Sequence, residues 1–165
     1  MTKLTAARGS QYLLEQEFTF NWNNWVVDSA DLTKKTLGST VALATDPNET
    51  GLLGPVANTI TFDGLNLPPG AVIMGGAVIV ETAYAGSTAA TVSVGITGSL
   101  TTLANAVDMK TVARTALTLT SPLLCNTGTN VRLTIAYTVA NATAGKVRVR
   151  VDYTIDGRVN EVQAS

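Results

Sequence analysis

Histidine is absent from all 165 residues of the chain, and cysteine occurs once, at Cys125. The first absence removes Ser-His and Cys-His nucleophile pairs and the usual zinc and non-haem iron ligands. The second excludes an intramolecular disulfide and a dithiol redox pair. Cys125 follows Pro122-Leu123-Leu124 and reads as a small buried hydrophobe, not a reactive thiol. Charge is scarce as well: Asp, Glu, Lys and Arg make up 14% of the residues, against roughly 25% in ordinary soluble proteins. Part of the exterior is therefore expected to be covered by something else. A net charge of −1 gives no basis for nucleic-acid binding, which wants a basic excess. The longest apolar run, Ala71 to Val80, is broken by Gly75-Gly76 and falls far short of a bilayer span. The N-terminus, MTKLTAARGSQYLLEQ, lacks the continuous apolar core of a signal peptide. No membrane association is expected.

Catalytic motifs are missing in the same way. No G-x-S-x-G elbow, P-loop or dinucleotide fingerprint occurs. Paired carboxylates are the remaining option, but Glu15 and Glu17 at strand spacing, and Asp46 with Glu49 in a loop, read as solvated acids. The loop from Asp46 to Gly51 faintly resembles a calcium loop, yet its twelfth position would be Ala57 and not a bidentate Glu. The chain is read as no enzyme, with no metal and no cofactor.

What the sequence does contain is threonine, valine, alanine and glycine in alternating runs, the composition of pleated, half-exposed surfaces. From Val131 to Val139 every odd position is apolar or aromatic, and from Val147 to Ile155 the same holds. A period of two over this length marks strands with one buried face. Joined through Asn141 to Gly145, the two stretches are expected to pair as a hairpin, with Val139 facing Val147 and Leu133 facing Tyr153. Its wet face would then carry Lys146, Arg148 and Arg150, with Arg132 on the neighbouring strand and no acid directly across from them. These cations are a candidate surface for an acidic partner.

Upstream, Glu15 to Trp25 reads as a strand with Phe18, Phe20 and Trp22 on its core face, and Trp25 beside a turn as an exposed anchor. Asp28 to Lys35 reads as a polar loop with a possible helical turn. Strands follow at Ser39–Ala44, Val56–Phe62, Val72–Tyr84, Ala89–Thr97 and Ala113–Thr120. Gly75-Gly76 marks a bulge or close backbone approach in the third of these, and residues 98–111 read as irregular with a helical turn at Thr102–Val107. About eight short strands with frequent turns predict an all-β antiparallel β-sandwich of jelly-roll type. It would span residues 15–157, with an extended N-terminal arm at 1–14 and a C-terminal tail at 158–165.

The stretch LPPGAVIMGGAVIVETAYAGSTAATVSVG, residues 67–95, and the preceding FTFNWNNWVVDSAD, residues 18–31, resemble segments of small tailed-phage virion proteins. The resemblance covers about a quarter of the chain. It implies a capsid cement or decoration protein: a β-sandwich or jelly roll that oligomerises, as a homodimer or homotrimer, on the outer surface of a shell of major capsid protein. Such a protein is made in the host cytoplasm and ends in the virion. The candidate partner interface is Arg132, Lys146, Arg148, Arg150 and Trp25. Two other readings stand beside it: a phage tail, connector or fibre part, and a carbohydrate-binding module using Trp25 and Tyr84.

Overall fold

The computed structural model describes residues 13–30, 32, 34–38, 59–125, 127–138 and 142–155. Among them there is no helix, and the strands run β1 (Leu14–Asn21), β2 (Trp25–Val27), β3 (Lys34–Thr36), β4 (Thr59–Leu67), β5 (Ala71–Ala85), β6 (Ala89–Ile96), β7 (Ser99–Asp108), β8 (Arg114–Ala116), β9 (Leu123–Cys125), β10 (Thr129–Thr138) and β11 (Ala144–Ile155). Residues 1–12 and 156–165 lie outside the described residues, and with them the tail and all of the expected arm but Leu13 and Leu14, of which Leu14 opens β1. So do the expected strand at Ser39–Ala44 and the loop at Asp46–Gly51.

The strands build an antiparallel β-sandwich. One sheet has the order β1-β11-β5-β8, with β9 also on the β8 side of β5; the other has the order β4-β10-β6-β7. A separate ribbon pairs β2 with β3. Only β6 and β7 are sequence neighbours paired within a main sheet. Elsewhere the chain mostly passes from sheet to sheet, β8 to β9 excepted, as at Pro68-Pro69-Gly70, where Ala71 N–H donates to Pro68 O at 3.1 Å and Gly70 takes a φ of 78°. That is the conformation a glycine adopts without a Cβ clash.

The terminal hairpin expected from the alternation does not form. β10 lies between β4 and β6, and β11 lies between β1 and β5, in the opposite sheet. Periodicity identifies the side chains that face the core. It carries no information on whether two such strands sit side by side or stack across that core. Here Val131, Leu133, Ile135 and Tyr137 enter the core from one sheet, and Val147, Val149, Val151 and Tyr153 from the other. Val139 lies outside the described residues.

Two further expectations are corrected. Residues 99–108 form strand β7, not an irregular stretch with a helical turn; its pairing with β6 slips twice and Ala106 has a positive φ, which blurs the period of two. The segment Asp28–Lys35 ends in strand β3, and both named residues are buried. The Gly75-Gly76 reading agrees with the structure. The β5–β11 register shifts between Asp152 and Tyr153, leaving Met74 unpaired. A Cβ on Gly76 would lie 2.1 Å from Arg150 O. The extra residue changes the phase of β5, so Ala71 and Ile73 face the core before the bulge and Val78, Val80 and Tyr84 after it.

Candidate interaction surfaces

The outward positions of β11 carry Lys146, Arg148, Arg150 and Asp152, and strand pairing decides what lies beside them. Opposite Arg148 and Arg150 in β1 are Thr19 and Glu17. The long side chains reach diagonally: Arg148 Nη1 lies 3.3 Å from Glu17 Oε1, and Arg150 Nη1 lies 3.6 Å from Glu15 Oε2. On the β5 side Glu81 accepts from Lys146 Nζ at 2.7 Å and lies 3.0 Å from Arg148 Nε. Asp152 Oδ1 stands 3.2 Å from Arg150 Nε. The Nε groups make no aligned hydrogen bond to these oxygens, so those contacts are ionic more than directional. The hydrogen bond from Lys146 is the largest influence on the Glu81 carboxyl; burial opposes it, the charges of Lys146 and Arg148 add to it, and the carboxyl is held below its ordinary value.

The premise of an unneutralised cationic ridge is therefore corrected. Each of Lys146, Arg148 and Arg150 has a carboxylate, and Arg132 belongs to the other sheet, where its Nε lies 2.8 Å from Asp63 Oδ1. Glu15 and Glu17, read from the sequence as simply solvated, are the partners that the expected hairpin hid. With Arg114 on β8, in register with Ile79 and Arg148, this face carries four acids and four cations and so no cationic excess.

Trp25 and Arg132 instead line one cleft at the open side of the sandwich, between the edge strands β1 and β4. A cleft of about 550 Å³ lies there. Its floor is aromatic: Phe18 and Phe62 stand 5.8 Å apart between ring centroids, and Phe20 packs edge-on to Phe62. The β2–β3 ribbon and the turn after β2 form one wall, presenting Trp25, Val27 and Leu32, which are 57%, 51% and 75% exposed. Lys34 Nζ sits 3.5 Å above the Trp25 ring, a cation–π contact. Asp63 and Arg132 form the opposite rim.

A buried ion pair fastens this ribbon to the sandwich. Lys35 Nζ donates to Asp28 Oδ2 at 2.6 Å, with the two side chains 3% and 2% exposed. Asp28 Oδ1 accepts the N–H groups of Ala30 at 3.0 Å and of Thr61 on β4 at 3.3 Å. Ser29 N–H returns a bond to Thr61 O at 2.6 Å. Asp28 thus acts on β4 as an extra piece of strand and caps part of its edge. Sequence reasoning missed this pair; a lysine and an aspartate seven positions apart in a polar stretch carry no signal of burial.

Elsewhere the buried polar groups are few. The Tyr84 and Tyr137 rings lie 6.1 Å apart; their hydroxyls influence one another but make no well-aligned hydrogen bond among the described residues. Burial, the largest influence on each, pushes both phenols above their usual range. Tyr84 is 1% exposed, so the glycan-platform role expected for it is corrected: its ring belongs to the core. Cys125 is buried, and burial pushes its thiol up, as suits a packing residue. Among the described residues no three of Cys, Asp and Glu group as a metal site would require.

No protein-family model matches the chain, and no curated protein matches it. A solved structure does: a chain of the cyanophage Pam1 capsid asymmetric unit is similar with a TM-score of 0.50 and 20% sequence identity. The similarity covers 94% of this chain and 92% of that one. At this identity what the two share is the fold alone.

Proposed function

We propose that this chain is a structural virion protein, a capsid cement or decoration protein. It oligomerises and binds the outer surface of a shell of major capsid protein, which it stabilises. The observation that carries the reading is the likeness, over nearly the full length of both chains, to a chain found in a phage capsid asymmetric unit. The order of strands adds support for a jelly roll: β1-β11-β5-β8 against β4-β10-β6-β7 gives eight strand positions in two sheets, linked mostly by crossings. The chemistry of the surface agrees, since its charges are paired among themselves and its exposed aromatic stands beside a cleft, an arrangement made for contact. Protein of this kind would be synthesised in the host cytoplasm and function in the virion.

The test is binding to purified empty shells of the phage's major capsid protein. Co-sedimentation to saturation, with a higher temperature of shell disruption, is the expected result. Full-length folded protein that neither pellets with shells nor changes their stability would overturn the reading.

A further inference from the structure

We propose that the cleft between β1 and β4 is the contact through which two copies of this chain associate, related by a two-fold axis. This deepens the reading above, and rests only on its statement that the protein oligomerises.

Three observations favour a second copy as the occupant. The first is that projection and recess lie side by side on one surface. Trp25 rises from the ribbon wall while Phe18 and Phe62 floor the adjoining cleft. A two-fold axis between two such surfaces sets each indole against the partner's recess, the reciprocal arrangement that an isologous contact requires. The second is charge. The rim carries one cation and one anion, Arg132 and Asp63, paired at 2.8 Å and partly open to solvent. A rim with equal numbers of both signs complements itself when rotated, and offers no preference for a strongly acidic or basic partner. The third is area. Trp25, Val27 and Leu32 from both copies would remove on the order of 700 Å² of apolar surface from water. The floor and rims bring the contact to the ~1,000 Å² that specific association needs. Trp and Arg are also the side chains that most often dominate such contacts.

Sedimentation equilibrium on the full-length chain, without shells, tests this. The wild type is expected at twice 17.1 kDa at tens of micromolar. The double variant Trp25→Ser, Leu32→Ser alters only exposed side chains, so its circular dichroism and melting should match the wild type while dimerisation weakens at least about thirty-fold. Independently, Arg132→Asp and Asp63→Arg should each be monomeric alone, because either change places like charges on both rims. Mixing the two variants should restore a dimer. A monomeric wild type, a dimer that survives the Trp25→Ser, Leu32→Ser change, or a charge-swapped mixture that stays monomeric would each overturn the proposal. Shell co-sedimentation of the same proteins separates this outcome from the function: a monomeric wild type that still binds shells sinks the two-fold contact and leaves the cement reading standing.

Discussion

Two sets of ion pairs, one on the outer face of the β1-β11-β5 sheet and one beneath the β2–β3 ribbon, use the same chemical groups for opposite ends. On the sheet, Lys146, Arg148 and Arg150 share the carboxylates of Glu15, Glu17, Glu81 and Asp152, and water reaches most of them. Under the ribbon, Lys35 and Asp28 are almost sealed from water. An exposed pair gains little because solvent and salt screen it. A buried pair has lost its hydration, so each partner depends on the other. Proximity of opposite charges therefore says little about stability until burial is known. The sheet face is adjustable, and the ribbon clasp is structural.

The sharpest way to expose this contrast is to place a charge where nothing answers it. Val149 is fully buried between Arg148 and Arg150, and Val149→Asp should cost more than about 4 kcal/mol, enough to abolish folding. Urea titration followed by circular dichroism would show the loss; a cooperative transition within 1 kcal/mol of wild type, on the scale of ordinary mutations, would mean that this strand is not central to the core. Asp28→Ala comes next. It removes the buried carboxylate beside Lys35 and leaves the Thr61 and Ala30 N–H groups without that acceptor, so a loss of about 3–5 kcal/mol is expected. Adding Lys35→Met should recover part of that, since no buried charge then remains, but not the part owed to the two amides.

On the sheet face the effects shrink. Arg148→Ser should cost about 0.2–1 kcal/mol at low salt and close to nothing near 1 M, where the Debye length is about 3 Å. A cost that persists at high salt would show that the arginine stem, and not its charge, contributes. The smallest expected effect is in pH. Glu81 is held below its ordinary value of 4.5 by Lys146 first and Arg148 second. Its contribution is thus complete above the unfolded value and lost as pH falls through the lower folded one. Melting temperatures of wild type and Glu81→Gln should converge as pH drops below 4.5, with the wild type losing more. Parallel curves down to pH 3 would remove Glu81 from the acid response.

How much of this was readable in advance follows the range of each interaction. Alternation within a strand is local, and the core faces of β10 and β11, the burial of Phe20 and the irregularity at Gly75-Gly76 were all legible. The neighbour of a strand is not local. Assigning β11 to β10 in place of β1 and β5 made the arginines look unpaired, since all their acids but Asp152 stand on strands far away in sequence. Trp25 was legible as an exposed aromatic beside a turn, whereas the cleft next to it depends on β1 and β4 approaching from different sheets. The Asp28–Lys35 clasp was invisible because burial there is imposed by the ribbon folding over, not by any apolar pattern in the segment.

The position of β11 has a consequence for synthesis. Glu17 on β1 meets Arg148 on β11 across 131 residues of chain, and β11 also supplies the long neighbour of β5. During synthesis β1 is made long before β11, the strand it pairs with among the described residues. Closing such distant contacts is slow, of the order of milliseconds to seconds for all-β domains. Completion of this sheet therefore waits for β11. A product cut short before Ala144 would leave the edges of β1 and β5 open together, a template for aggregation in place of a smaller folded protein.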